Sequence, residues 1–270
     1  MNWVEAIVRL TAGNRGFVVV TVLETRGSAP RDRQSKMVVT EDASHDTIGG
    51  GNLEFRAIEH ARGLLSRGQA GNDRQVYTLG EDLSQCCGGR AELLYECFPA
   101  CDFLVALFGA GHVGRALVRI LAGLPCRVTW FDSREDVLSA SMAESGLPGN
   151  VISRFMDNPH CAVEELPPGT RCLVMTHSHE IDFELVEAML SRDDFPYCGL
   201  IGSRSKSVSF RKRLSRKGFS DAELARLTSP IGVDLGGGKL PMEVAVSVAA
   251  QLLGQYRAES RGRGGLSAVS

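Results

Sequence analysis

One stretch restricts what this chain can fold into more than any other. "LVALFGAGHVGRAL" runs an apolar, strand-like segment into Gly109, Gly111 and Gly114, and from there into a helical pattern. G-x-G-x-x-G spacing alone is a weak signal; between a strand and a helix it is the context in which the motif has a mechanical meaning. Gly109 permits the tight turn, Gly111 lets a phosphate approach the backbone, and Gly114 lets helix and strand close together. The N–H groups at the start of the helix are then available to an anion. The next apolar run, "VTWFD", ends at Asp132, about twenty residues on, where a ribose-binding acid belongs. His112 lies inside the turn and either faces solvent or helps hold a phosphate. These residues leave the ligand open: NAD, another nucleotide, or none.

The alternation around this turn sets the architecture. Strand patterns at 103–108, 127–131, 150–155, 171–176 and 197–201 are separated by helical patterns at 110–121, 135–144, 182–191 and 206–217. Such alternation implies a parallel sheet covered on both faces. Ahead of it, helical patterns at 3–10 and 53–65 are mixed with β-rich runs at 17–23, 36–40, 76–79 and 91–98. Pro99 and Asp102 mark a break. The expected fold class is therefore α/β: a Rossmann-like doubly wound parallel sheet preceded by a smaller α/β domain. The expected boundaries are 1–99 for the first domain and 100–256 for the second, with a disordered tail at 257–270. The last helix, opening at Pro241 and reading "MEVAVSVAAQLL", is apolar nearly all round and is expected to be buried.

Composition narrows the function classes. The 270 residues are 43% hydrophobic and 23% charged, with a net charge of -2. That is globular, with no bulk charge to suggest nucleic acid or membrane as partners. No apolar run spans a bilayer. The chain opens directly into an amphipathic pattern without a basic, apolar leader, so a reducing cytoplasm is the expected location, where the eight cysteines stay thiols. Cys126, Cys172 and Cys198 lie in or beside apolar runs and read as packing residues.

Several shorter stretches carry chemistry. "GSAPR" offers Ser28 as a cap and Arg31 as a cation, or is an ordinary surface loop. "IGGGNLE" places Gly49, Gly50 and Gly51 before a helix, either as a backbone cradle for an anion or as a flexible loop. "MTHSHEID" ends a strand at the sheet edge where doubly wound folds bind ligands. There His177 and His179 are candidate ligand contacts, though H-x-H without a third ligand is thin support for a metal. "GLIGSRSK" brings Gly202, Ser203, Arg204 and Lys206 to another strand end, and 204–217 holds seven Lys/Arg and no acid, which is a solvated face or a site for a phosphate or acidic partner. "SQCCGGRAE" sets Cys86 and Cys87 side by side before Gly88 and Gly89, too close for a comfortable disulfide and without C-x-x-C spacing. No Ser-His-Asp order, H-E-x-x-H or acid/base pair emerges, so the residues read as a binding protein more than a catalyst.

Taken in order, "GSAPR", "IGGGNLE", "CGG", "FGAGHVG", "FDSRED", "THSHEID", "GLIGSRSK" and "PIGVDLGG" resemble the XdhC/CoxI family, accessory proteins of xanthine dehydrogenase and related molybdenum hydroxylases. The resemblance implies a two-domain homodimer that binds molybdenum cofactor, a pterin (molybdopterin) with a dithiolene and a phosphate, with or without a dinucleotide extension. It implies a chaperone that protects the cofactor, supports its sulfuration by a cysteine desulfurase and delivers it to the molybdenum-binding subunit of the hydroxylase. On that resemblance Cys87 becomes the candidate molybdenum contact, since a thiolate suits a soft metal centre. Gly88 and Gly89 keep side chains clear, the cofactor phosphate falls to the Gly109–Gly114 turn, and Cys86 assists, carries a persulfide sulfur or is simply buried. One departure lies at Gln34-Ser35-Lys36-Met37, near which the family often carries a glycine. The alternative is an NAD(P)-binding oxidoreductase or nucleotide-sensing protein, carried by the glycine turn and Asp132.

Overall fold

The run "FVVVTVL" is apolar but for Thr21 because both faces of its strand are covered. In the computed structural model, which describes residues 1–26, 34–78, 89–145 and 149–264, the chain divides into Met1–Cys101 and Asp102–Ser270. The first unit contains α1 (Trp3–Ala12), β1 (Phe17–Arg26), β2 (Lys36–Val39), β3 (Ser44–Asp46), α2 (Gly51–Ser66), β4 (Gly71–Thr78) and β5 (Arg90–Phe98). The strands form one antiparallel sheet in the order β3-β2-β1-β5-β4. Successive side chains of a strand point to opposite faces. Val18, Val20 and Val22 accordingly join Leu53, Ala57 and Ala61 of α2 in one core. Phe17 and Val19 join Ala6 and Leu10 of α1 in another. A capping box between Asn2 and Glu5 starts α1.

Two local features of this unit escape a reading by pattern. β4 is longer than its apolar part, starting at Gly71 rather than near Val76. Its sequence, GNDRQVYT, is mostly polar because it is an edge strand with half-buried and exposed residues in alternation. Gln34 sits at φ 75, a left-handed conformation natural to glycine and costly to other residues. Its N–H donates to the Val22 carbonyl at 2.9 Å, and the Val22 N–H donates to the Ser35 carbonyl at 3.0 Å. The turn that a glycine would ease is thus kept by Gln34 at the entry to β2.

The second unit contains β6 (Leu104–Phe108), α3 (His112–Leu121), β7 (Arg127–Asp132), α4 (Glu135–Ser145), β8 (Val151–Phe155), α5 (Pro159–Glu164), β9 (Arg171–Val174), α6 (His179–Leu190), β10 (Tyr197–Leu200), α7 (Arg204–Arg216), α8 (Asp221–Ala225), β11 (Leu227–Thr228) and α9 (Pro241–Gly264). All six strands run parallel, in the order β11-β10-β9-β6-β7-β8. With β6 and β9 adjacent at the centre and the chain winding outward on each side, this is the strand order of dinucleotide-binding folds. Its topological switch point lies between the ends of β6 and β9. Ala106, Phe108, Phe131 and Val174 pack against Phe183, Val186 and Phe210 from α6 and α7. The fold class is α/β, with an antiparallel sheet in the N-terminal unit and a Rossmann-like parallel sheet in the C-terminal one.

Two expectations need correction. The final helix is not buried all round: Ala245, Val248, Ala249 and Leu252 are covered, but Met242 and Val246 are 46% and 47% exposed. One face packs, largely on α3, and apolar residues also occupy the other. Nor does the chain lose its structure at residue 257, since α9 continues to Gly264. Composition missed its tertiary anchors. The Tyr256 ring stacks on Phe103 at 4.3 Å, and Glu259 pairs with Arg171, itself buried. Residues 265–270 lie outside the described residues. No helix among the described residues is long and apolar enough to cross a membrane.

Candidate functional site

The glycines between β6 and α3 have separate jobs. Gly109 has φ 121, and a Cβ there would lie 2.2 Å from the Met175 carbonyl oxygen. A Cβ on Gly114 would lie 2.1 Å from the Gly109 carbonyl oxygen. Both positions are closed to any side chain by backbone, not by a movable group. Gly111 differs: its φ of −72 suits any residue, and a Cβ there meets nothing within 4 Å among the described residues. It is the N-cap of α3, with no side-chain cap and no acid in the first turn. Helix-start N–H groups without such a cap are suited to an outside acceptor. His112, the first residue of α3, is exposed. Trp130 steadies the turn from below, its Nε1 donating to the Gly109 carbonyl at 3.0 Å.

Asp132 ends β7 beside this turn and is only 1% exposed. Its Oδ2 accepts from the Ala110 N–H at 2.6 Å and from Arg134 Nη2 at 2.9 Å. Its Oδ1 accepts from the Arg134 N–H and Nε, both at 2.9 Å. Burial by itself would raise this carboxyl, but the Arg134 side chain and the two N–H groups outweigh it and hold the group below its usual range. Asp132 therefore ties the glycine turn to Arg134.

On the other side of the switch point, Met175 and Thr176 abut Gly109. Thr176 donates to Asp182 Oδ1 through its N–H at 3.0 Å and its Oγ1 at 2.7 Å. Lys206 Nζ donates to Asp182 Oδ2 at 2.5 Å and to the Ile201 carbonyl at 3.2 Å. Ser178 caps α6 and Ser203 caps α7. "THSHEID" and "GSRSK" are thus joined through Asp182, which is 1% exposed and links half-buried Thr176 to half-buried Lys206. Gly202, at φ 151, leaves room for Lys206, whose Cδ would lie 2.6 Å from an added Cβ. His177, His179 and Arg204 are exposed. Of the two cations singled out here, Arg204 faces solvent and Lys206 is committed to Asp182.

The second glycine-rich turn has another resident. Gly49, Gly50 and Gly51 have φ of 128, 76 and 69, and Gly50 caps α2. The Glu54 carboxylate turns back and accepts from the N–H groups of Ile48 at 3.0 Å and Gly50 at 3.1 Å, and from Thr47 Oγ1. The chain supplies its own anion.

Gly89 is buried just ahead of β5. Ser28, Arg31, Cys86, Cys87 and Gly88 lie outside the described residues. Among the described residues no cluster of three or more His, Cys, Asp or Glu side chains is placed to hold a metal ion. Cys126, Cys172 and Cys198 are buried, and burial pushes the Cys198 thiol up to about 11. Sequence reasoning passed over Glu54, Trp130, Arg134 and Asp182. Arg134 was legible as a cation two residues after the strand-end acid; the others show only in three dimensions.

Two family models match the chain, in line with its two units. Residues 105–252 match the XdhC Rossmann domain, and residues 10–78 match the XdhC and CoxI family. The uncharacterized protein YqeB of Escherichia coli (strain K12) is 27% identical over 255 residues, covering 94% of this chain and 46% of YqeB; this chain thus spans about half the length of that relative. The molybdenum cofactor insertion chaperone PaoD of the same organism is 24% identical over 261 residues, covering 84% of this chain and 80% of PaoD. Among solved structures, a xanthine dehydrogenase from Bacillus halodurans is similar over 96% of both chains at 19% identity, with a TM-score of 0.48. An NAD(P)-binding domain of an exopolyphosphatase-related protein from Archaeoglobus fulgidus is similar over 41% of this chain and 81% of its own, at 19% identity and a TM-score of 0.34. The chain belongs to the XdhC and CoxI family, and its second unit is an XdhC Rossmann domain.

Proposed function

We propose that this protein is a carrier for molybdenum cofactor, which it holds during exchange of an oxo ligand for sulfur and passes to the molybdenum-binding subunit of xanthine dehydrogenase or a related hydroxylase. The observation that carries this reading is the similarity to the insertion chaperone PaoD along 84% of the chain. The shape of the glycine turn fits the phosphate end of the cargo. Gly111 leaves space beside an uncapped helix start, and no carboxylate of the α3 first turn competes for it. On this reading Gly109, Gly111 and Gly114 hold the phosphate, with exposed His112 at the rim. Cys87 is the soft donor to molybdenum, since thiolates suit such metals, and Gly88 and Gly89 keep bulk away from it. Cys86 is a second thiol for sulfur handling. His177, His179 and Arg204 supply exposed polar contacts at the same sheet edge. The partners are a cysteine desulfurase, the hydroxylase subunit and a second copy of this chain, in the cytoplasm.

The test is anaerobic purification from a host that makes the cofactor, followed by molybdenum and pterin determination per chain. Wild type is expected to carry both, and Cys87→Ala to lose the molybdenum. Wild-type protein free of pterin under those conditions overturns the proposal.

A further inference from the structure

We propose that Arg134, not Asp132, reads the far end of the ligand on the glycine turn, and that this end accepts a phosphate monoester and rejects a vicinal diol. The inference rests on the reading that the turn holds a phosphate-bearing ligand. It starts from a count of acceptors. An ionised carboxylate offers about four lone-pair positions. Asp132 fills them with the Ala110 N–H, the Arg134 N–H, Arg134 Nε and Arg134 Nη2, at 2.6 to 2.9 Å. A ribose diol bound by a strand-end acid must donate its hydroxyls to that acid. Here such a diol finds no acceptor left, on a side chain that is 1% exposed.

Arg134 presents the opposite chemistry. A guanidinium has about five N–H donors in a planar fork. Two of its nitrogens, Nε and Nη2, point at Asp132, and the side chain is 34% exposed. Its remaining donors suit a group that only accepts, which a phosphate monoester does and a diol does not. The anchoring carboxylate fixes the plane of the fork, so the pair acts as one preformed unit. Glu135 and Asp136, the next acids along the chain, are exposed and open α4; Asp136 is close enough to favour the charged guanidinium further. The monoester at this end is the 2′-phosphate of a nucleotide, because the single phosphate of the pterin is assigned to the glycine turn itself.

NAD+ and NADP+ differ only in the 2′-phosphate and are the matched probes, titrated into wild type, Arg134→Ala and Arg134→Lys with circular dichroism as the fold control. Wild type is expected to bind NADP+ about tenfold or more tightly than NAD+, the worth of one charge-assisted hydrogen bond. In Arg134→Ala the order inverts, because Asp132 regains acceptors for the diol. Arg134→Lys keeps its charge but loses the fork, so it retains NADP+ and gains NAD+. An equal loss of both nucleotides in Arg134→Ala, or wild-type preference for NAD+, overturns the proposal. Wild type that holds pterin but neither nucleotide overturns the proposal while leaving the carrier function standing. Inversion of nucleotide preference in a protein that never holds pterin supports the proposal and removes the carrier function instead. Wild type that binds no pterin and neither nucleotide ends both.

Discussion

The two glycine-rich turns of this protein look alike in sequence and are opposites in structure. Gly49–Gly51 and Gly109–Gly114 each lead into a helix and each present backbone N–H groups at its start. At the first, Glu54 reaches back from α2 and satisfies Ile48 and Gly50. At the second, α3 has no acid in its first turn and no side-chain cap, and no described residue fills the space beside Gly111. A glycine run therefore says only that backbone is presented. Whether an outside anion is wanted depends on whether the chain supplies one, and that turns on a single residue four positions past Gly50.

The largest effect expected from breaking this comparison is at Gly114. An alanine there drives its Cβ into the Gly109 carbonyl, which is backbone and cannot step aside. Gly114→Ala should lose about 3 kcal/mol or more by denaturant titration, and stability within error of wild type would show that the turn can open to admit a side chain.

Asp132 comes next. Asp132→Asn breaks a buried, four-way acceptor and should cost about 2 kcal/mol near neutral pH. Its sign with pH follows from the direction of the shift. The carboxyl is held below its ordinary value in the fold, so its contribution is complete above about pH 4 and fades as pH falls through the folded value. The gap between wild type and Asp132→Asn should narrow on acidification; a gap that widens contradicts the tie.

The third prediction inverts the first turn. Glu54→Ala leaves the Ile48 and Gly50 N–H groups without their acceptor, at a cost of about 1 to 2 kcal/mol. It also makes the cradle resemble the one at α3. Millimolar phosphate should then stabilise Glu54→Ala more than wild type in a thermal melt. Equal stabilisation of the two proteins would mean that Glu54 is not what closes this turn.

How much of this was legible in the sequence follows from the range of the interactions. The parallel sheet, the turn at Gly109–Gly114 and the helix behind it are written in local periodicity and spacing, and they lie where the pattern puts them. The edge strand β4 was half hidden because only alternate residues face the core, so its polar start carries no hydrophobic signal. The end of α9 was missed because the stacking of Tyr256 on Phe103 and the pairing of Glu259 with Arg171 join positions far apart in the chain. At the site, the glycines were readable from their spacing. The occupancy of Asp132 by Arg134, of Asp182 by Lys206 and of the first turn by Glu54 was not, because a charge in a sequence does not say where its side chain turns. Gln34 is an instructive middle case: its departure from glycine was visible, and its left-handed backbone shows the turn kept despite the cost of a side chain.

The most direct test uses the one glycine of the second turn that structure alone does not require. Gly111→Val adds bulk where a Cβ meets none of the described residues and where the backbone angle suits any residue, so its melting temperature should match wild type. If the turn holds the phosphate of molybdenum cofactor, pterin recovered with the anaerobically purified Gly111→Val protein should fall to background. Full pterin content in a folded Gly111→Val protein would contradict the account.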